Sequence, residues 1–183
     1  MEKNENGQFS LEIVEKKQLS PDTVCFKLKY PNPEWIMGLP IAKHMVFFKL
    51  PQAEGEEMVA RPYTSVSPLN QKGFIEFVIK CYPVTAEFPK GGAMGAYLTS
   101  KQVGDSILMS GPVGYMTYSG SGTFEITGKD PLKKSKLGLI AGGSGITPML
   151  SVMDAVYRAQ DTSFSCVKML YSNKTEADIL CRE

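Results

Sequence analysis

A glycine-rich turn between an apolar strand and a helix is the segment of this chain best suited to chemistry. It follows the apolar run 137–141 and consists of Gly142, Gly143, Ser144 and Gly145. Glycine lets an anionic ligand approach the backbone, and the next helix directs free N–H groups and its positive dipole end at that ligand. The pattern predicts a pyrophosphate-binding turn. Its spacing differs from G-x-G-x-x-G, so a purely conformational role for the glycines stays open.

The helix that follows this turn has the residues of a helix start. Thr147 suits the N-cap position and Pro148 suits the first helical position. Apolar side chains then recur on one helical face, at Ile146, Met149, Leu150, Met153, Val156 and Tyr157. A second apolar run, 165–171, comes after the helix, so the segment predicts a strand–helix–strand unit with two parallel strands.

The first two thirds of the chain predict β-structure. Apolar residues alternate in short runs bounded by Pro, Asn, Asp or Gly. The predicted strands are 9–13, 24–30, 45–50, 58–60, 74–82, 102–109 and 111–118. Six or so short antiparallel strands favour a small closed barrel.

One of these strands, 74–82, carries an unusual outer face. Its period of two places Glu76, Val78, Lys80 and Tyr82 together. A valine between a lysine and a tyrosine suits an aromatic, anionic ligand. A solvent-facing strand also often carries Lys and Tyr, so both interpretations remain.

A second glycine turn, Gly91-Gly92, precedes a short predicted helix at 94–100 and is another candidate anion site. Residues 119–136 are rich in Gly, Ser and Lys and predict a loop-rich interdomain connection. We therefore expect a barrel domain at 1–118, a linker at 119–136 and a partial nucleotide-binding domain at 137–183.

Composition excludes several other functions. The net charge is +1, without the basic stripe of a nucleic-acid-binding protein. No apolar run approaches the roughly 20 residues of a membrane span, and the first residues lack the apolar core of a signal peptide. The four cysteines have no C-x-x-C spacing and are expected to be reduced thiols, without a metal site. The single histidine, His44, is interpreted as structural. A cytoplasmic location follows as an expectation.

Several motifs occur together in an order that resembles a known family. They are Arg61-Pro-Tyr-Thr-Ser65, Val78-Ile-Lys-Cys-Tyr82, Gly91-Gly-x-Met94, Gly111-Pro-x-Gly114, Ala141-Gly-Gly-Ser-Gly-Ile-Thr-Pro-Met149 and Thr175-x-x-Asp178. The chain resembles the NADH-cytochrome b5 reductase and nitrate reductase branch of the ferredoxin reductase superfamily. The resemblance runs from Phe9 to Glu183. It implies a flavin-binding β-barrel, a C-terminal pyridine-nucleotide domain and FAD held between them.

The resemblance also implies which residues bind the cofactors. For FAD these are Arg61, Pro62, Tyr63, Thr64, Val78, Lys80, Tyr82, Gly91, Gly92 and Met94. For NADH they are Gly142, Gly143, Ser144, Gly145, Thr147 and Pro148. Tyr63, Thr64 and Lys80 are implied as catalytic: Tyr63 would stack on the isoalloxazine and Thr64 would hydrogen-bond near N5, where hydride arrives. Arg61 would clamp the pyrophosphate with two parallel hydrogen bonds.

The implied reaction moves electrons from NADH through FAD to cytochrome b5 or a similar haem protein. The preference for NADH is inferred from the branch and from Ser172-Asn173, and Lys174 leaves NADPH open. A longer native form would be peripheral to the endoplasmic reticulum or the outer mitochondrial membrane.

The branch has the pattern Gly-Gly-Lys-Met-Ser, followed later by a Cys-Gly-Pro-Pro segment. This chain departs from that pattern in two ways. This chain has Ala93 and Gly95 around Met94, which predicts weaker FAD retention by about 1 to 3 kcal/mol. It also ends five residues after Asp178, just as a capping box at Thr175 opens a helix. A two-stranded parallel sheet is ordinarily unstable by itself.

Three hypotheses follow from these patterns. In the first, the chain is a reductase of this family or a C-terminally truncated form of one. In the second, it is a non-catalytic flavin-binding or scaffold subunit whose sheet is completed by a partner chain or oligomer. In the third, it is a barrel without cofactor. We expect weak NADH oxidation at most, and a segment beyond Leu137 that is more mobile than the barrel or ordered by another chain.

Overall fold

Six antiparallel strands form the largest sheet. The computed structural model describes residues 2–82, 84, 86, 89 and 91–182. The strands are β1 (Phe9–Ser20), β2 (Thr23–Lys29), β3 (His44–Lys49), β4 (Val59–Tyr63), β5 (Phe74–Lys80) and β6 (Ser106–Val113), hydrogen-bonded in the order β4-β3-β6-β1-β2-β5. The β-structure predicted for the first part of the chain is confirmed.

The sheet is rolled around an apolar interior. Within the described residues β4 and β5 share no strand ladder, so the barrel is not closed by strand pairing. Residues 65–67 bridge the gap: the Val66 N–H donates to the Glu76 carbonyl at 2.9 Å, and the Glu76 N–H donates to Ser67 Oγ at 2.7 Å. Across the interior, the rings of Phe47 and Phe77 lie 4.8 Å apart. The predicted closed barrel is therefore a rolled sheet completed by a loop.

Helix α1 (Ala93–Ser100) closes one side of this barrel. Met94 and Leu98 on α1 are buried in the same cluster as the inward side chains of the strands. Strand alternation explains this core, because every second residue of β5 points inward. The barrel and α1 thus share one continuous core.

A small three-stranded sheet follows the barrel: β7 (Met116–Gly120), β8 (Thr123–Ile126) and β9 (Leu132–Lys133). The predicted loop-rich connection at 119–136 is corrected here, because β8 and β9 lie within it. The alternating run of β8 is short and flanked by Gly122 and Gly128, so turn residues dominate the composition. Phe124 of β8 is nevertheless buried, with its ring 5.0 Å from that of Tyr118.

The C-terminal unit, residues 136–182, contains β10 (Lys136–Gly142), α2 (Ile146–Arg158) and β11 (Cys166–Ser172). β10 and β11 pair in parallel, from Lys136 opposite Cys166 to Gly142 opposite Ser172, which confirms the predicted crossover. Leu139 and Ala141 are buried, whereas Ile140 between them is 77% exposed. Among the described residues, no helix has the length and apolar character that crossing a membrane requires.

Candidate functional site

The glycine turn lies at the carboxyl end of β10, where parallel strands ordinarily present ligands to the following helix. Gly143–Gly145 form one 3-10 turn that leads directly into α2. Gly143 has a φ of +50°, a conformation that glycine adopts without strain. The turn predicted from the sequence is therefore present, and its first N–H groups, those of Gly143 and Ser144, have no acceptor within the helix.

Thr147 is not the N-cap that its residue type predicted. The 3-10 turn extends the helix backwards, so Gly145 takes the N-cap position and Thr147 lies inside the first turn of α2. Its side chain is buried, and its hydroxyl donates to the Ser144 carbonyl at 3.2 Å. Pro148 is the third residue of α2, not the first as its residue type predicted, for the same reason.

The outer face of β5 meets this turn. Val78 is buried in a small cluster with Ala141, Ile146 and Leu180, all from the C-terminal unit, and β5 contacts the 3-10 turn. The two segments that the sequence singled out separately, 74–82 and 142–148, are thus brought together at one interface.

Lys80, on the same face, forms ion pairs with two carboxylates. Its Nζ lies 2.7 Å from Asp178 Oδ1 and 3.0 Å from Asp22 Oδ2, and its side chain is 13% exposed. The hydrogen bond between Lys80 and Asp178 raises the pKa of the lysine and lowers the pKa of the carboxyl. At Asp22 burial acts in the opposite direction, yet hydrogen bonds from Lys80, Ser20 and Thr23 lower its pKa. Lys80 therefore joins the barrel to the C-terminal unit.

The second glycine turn is shaped by backbone contact. Gly91 has a φ of +55°, and a Cβ there would lie 3.2 Å from the Tyr82 carbonyl oxygen. The Gly92 N–H donates to that same oxygen at 2.9 Å. Tyr82 lies just past β5 and is 52% exposed. A cavity of about 640 Å³, lined in part by Tyr82, Gly91 and Gly92, opens beside this turn.

Met94 and Gly95 of α1 have structural roles. Met94 is 3% exposed and packs into the barrel core, so only its backbone can face a ligand. A Cβ on Gly95 would lie 3.1 Å from the Cys81 Cα, so a serine at this position would require α1 to shift. Gly95 is therefore explained by the close approach of α1 to the end of β5.

The segment 61–64 spans the end of β4 and the residue after it. Arg61 and Pro62 are exposed, and Arg61 Nη1 donates to the Ala60 carbonyl at 2.7 Å. The Tyr63 ring lies 4.9 Å from the Phe47 ring, and burial raises the pKa of Tyr63 to about 12. Thr64 is buried. Tyr63 thus packs partly on the core.

The described residues fit the diphosphate part of FAD. Strand β4 contacts α1, so the exposed Arg61 and the glycine pair before α1 belong to neighbouring elements. The guanidinium of Arg61 and the N–H groups of the first turn of α1 supply donors suited to phosphate oxygens. Ala93 and Gly95 add no charged or hydroxyl donor.

Three residues of this site escaped the sequence reasoning. Asp22 lies in the turn between β1 and β2. The sequence places Asp178 in a capping box, which the structure contains at the start of the 3-10 helix Glu176–Asp178, but does not indicate its ion pair. Tyr171 donates to the Gly143 carbonyl at 3.0 Å. Sequence spacing does not indicate these contacts, because the partners are far apart along the chain: Lys80 and Asp178 are separated by 98 residues.

Comparisons with known proteins agree with this architecture. The family model "Oxidoreductase FAD-binding domain" matches residues 10–118, and "Oxidoreductase NAD-binding domain" matches residues 139–183. The chain is 38% identical to NADH-cytochrome b5 reductase 3 of Mus musculus over 98% of this chain and 60% of that protein. It is also 38% identical to nitrate reductase [NADH] 1 of Zea mays, over 98% of this chain and 29% of the relative.

A solved structure shows the same fold. The cytochrome b5 reductase domain of Ulva prolifera nitrate reductase superimposes with a TM-score of 0.87 and 34% identity, covering 98% of this chain and 67% of that one. This likeness confirms the predicted fold class, a β-barrel followed by a strand–helix–strand nucleotide-binding unit. The chain spans about 60% of the length of the mouse relative.

Proposed function

The chain belongs to the family of oxidoreductase FAD-binding domains, and we propose that it passes electrons from NADH through FAD to a one-electron acceptor such as cytochrome b5. The observation that carries the proposal is the meeting of β5 with the glycine turn of the C-terminal unit, at Val78 and Ile146. An electron-transfer flavoprotein requires its flavin-binding and nucleotide-binding segments to share one interface.

The barrel would hold FAD. Arg61 is exposed and its guanidinium can donate to phosphate oxygens, while the N–H groups of the first turn of α1, just after Gly91 and Gly92, would face the same group. Tyr63, Thr64, Val78 and Tyr82 would surround the flavin ring and its ribityl chain. Bound FAD would supply the redox chemistry, and the protein supplies position and electrostatics.

The C-terminal unit would hold NADH. Gly142, Gly143, Ser144 and Gly145 would face the diphosphate, and the first turn of α2, with Thr147 and Pro148, would direct its dipole there. Lys80 is a catalytic candidate in a restrained position, since its ammonium already faces two carboxylates. Ser172 and Asn173 favour NADH, and Lys174 keeps NADPH as a second substrate to test.

The Arg61→Ala variant tests the flavin site. Loss of a charged hydrogen-bonding group should weaken FAD binding by about 1.5 to 3 kcal/mol, roughly 10- to 150-fold in Kd. Quenching of FAD fluorescence on titration of the apoprotein measures this. Arg61→Lys should give a smaller loss, because charge remains without the planar fork. Arg158→Ala, which removes a guanidinium paired with Asp154 on α2, is the matched control.

Wild-type protein that binds no FAD would contradict the proposal. Unchanged FAD affinity in Arg61→Ala would remove that residue from the site. Reduction of ferricyanide or cytochrome b5 by NADH in the FAD-loaded chain tests the electron-transfer step.

A non-catalytic subunit completed by a partner chain is the second candidate function. Ile140 and Leu170, neighbours on one face of the β10–β11 sheet, are 77% and 66% exposed, which favours a covering surface. Such a subunit would bind FAD without oxidising NADH. It would also elute in size-exclusion chromatography as an oligomer or only with its partner.

A further inference from the structure

The hydroxyl of Tyr171 connects two backbone segments that the sequence separates. Tyr171 lies near the end of β11, and its hydroxyl donates to the Gly143 carbonyl at 3.0 Å and accepts from the Leu180 N–H at 3.2 Å. A phenol has one donor and can also accept, so both contacts are satisfied at once. Tyr171 thereby ties the glycine turn to the last described segment of the chain.

Apart from Tyr171, the Thr147 hydroxyl binds the Ser144 carbonyl of the glycine turn and β5 contacts the turn, but its glycines themselves are loosely surrounded. In the part of the chain that the structure describes, a Cβ built on Gly142, Gly143 or Gly145 would meet no atom within 4 Å. Side-chain packing around these positions therefore does not fix their backbone. The Gly143 carbonyl is oriented by the Ile146 N–H and by the Tyr171 hydroxyl.

The other end of this connection is anchored on the barrel. Leu180 is 4% exposed and packs with Val78 of β5. Two residues earlier, Asp178 binds the Lys80 ammonium at 2.7 Å. Polar and apolar contacts thus run from β5 through residues 178–180 and Tyr171 to Gly143.

We propose that Tyr171 is a positioning residue: its hydroxyl fixes the peptide of Gly143 so that the glycine turn meets a nucleotide diphosphate in a preorganised orientation set by the barrel. Because the peptide unit is planar and trans, fixing the Gly143 carbonyl also fixes the opposed N–H of Ser144. This inference rests on the proposed function, since it assigns the turn to a nucleotide.

Removing the hydroxyl leaves the ring and its packing in place. In Tyr171→Phe the turn becomes ordered only on binding, and the cost of that ordering lowers affinity. The hydrogen bonds that the variant loses join uncharged groups, so we expect it to bind the nucleotide about three- to ten-fold more weakly. FAD content stays unchanged, because Tyr171 lies outside the barrel.

The experiment compares wild type, Tyr171→Phe and the control Tyr157→Phe, whose ring is 83% exposed on α2, all as the full FAD-loaded chain. Isothermal titration with ADP-ribose, a nucleotide diphosphate without nicotinamide, measures affinity. Hydrogen exchange of the Ile146 and Leu180 amides, without nucleotide, measures the order of the turn. The expected result is weaker ADP-ribose binding and faster exchange at both amides in Tyr171→Phe only.

Asp178→Asn acts on the same connection from the barrel side. It should accelerate exchange at Leu180, and the double variant with Tyr171→Phe should show a non-additive loss of affinity.

The outcomes separate the two proposals. If wild type binds ADP-ribose and Tyr171→Phe matches it in affinity and exchange, the positioning role is wrong and the proposed function stands. If FAD-loaded wild type binds neither ADP-ribose nor NADH, the proposed function fails, and this inference fails with it.

Discussion

The barrel and the C-terminal unit differ in where their cores lie. The barrel has one continuous cluster of buried side chains from β1, β2, β3, β5, β6 and α1, with Val59 and Tyr63 of β4 packed against it. Phe26, Phe47 and Phe77 in this cluster are fully buried. The C-terminal unit has no such cluster of its own among the described residues. Most of its buried apolar side chains divide between one group that includes Val78 of the barrel and another that includes Tyr118 and Phe124 of the small sheet.

This difference indicates that the C-terminal unit is stabilised by docking. Ile146 and Leu180 are buried in the cluster that contains Val78 of β5, and Val152 and Ala155 are buried in the cluster that contains Tyr118 of β7 and Phe124 of β8. A two-stranded parallel sheet with one helix buries too little apolar surface to be stable alone. The interface that would bind nucleotide is therefore also the interface that holds the unit folded.

The largest expected effect comes from the barrel core. Phe77→Ala should lower the free energy of unfolding by about 3 to 5 kcal/mol, because a fully buried ring is replaced by a cavity. Since the C-terminal unit depends on the barrel, both should unfold together. Urea denaturation followed by Trp35 fluorescence and far-UV circular dichroism measures this.

Val103→Ala is the control for that variant. Val103 is 61% exposed in the turn before β6, so its truncation should change stability by less than about 0.5 kcal/mol. If the C-terminal unit kept its helical circular dichroism signal after the barrel of Phe77→Ala had unfolded, the C-terminal unit would not depend on the barrel.

A smaller, local effect is expected at the interface. Ile146 is 1% exposed, and Ile146→Ala should destabilise the docked C-terminal unit by about 2 to 3 kcal/mol, the lower end of the range for such truncations. Hydrogen exchange should become faster in α2 and β10 while β1, β2 and β5 remain protected.

Ile140→Ala is the matched control, since it removes the same atoms from a side chain that is 77% exposed. Loss of protection in the barrel strands of Ile146→Ala, equal to that in α2, would show that the two regions unfold as one unit.

Local pattern was enough to predict the elements whose periodicity is strong. The alternation of 74–80 gave β5 and its inward face, and the helical spacing after Ile146 gave α2. Where turn residues outnumber strand residues, as at 119–136, composition predicted a loop and missed β8. At Thr147 residue preference predicted an N-cap, but the preceding 3-10 turn moved the helix start back.

Long-range pairing was beyond the sequence. The strand pattern predicted that Lys80 faces outward towards a ligand, and it does face the C-terminal unit. Its partner Asp178 is 98 residues away, so spacing carries no sign of the ion pair. The two hydrogen bonds of Tyr171 likewise depend on how β10, β11 and the 175–180 segment come together.

The smallest expected effect is a pH-dependent loosening of the same interface. In the folded chain the pKa of Asp178 lies below its ordinary value of 3.8, because Lys80 and Thr175 hydrogen-bond to the charged form. A carboxyl of this kind stabilises the folded state fully above its ordinary pKa, and the contribution is lost as the pH falls through the lowered value. The partner Lys80 has a raised pKa, so its contribution persists up to the ordinary lysine value of 10.5 and fades above it.

We therefore expect the Leu180 amide to keep a constant protection factor between about pH 5 and 9 and to lose protection below pH 4. Asp178→Asn should have lower protection at neutral pH and a flatter acid profile, with Asp22 supplying what dependence remains. An acid profile identical in wild type and Asp178→Asn would show that the ion pair does not control docking.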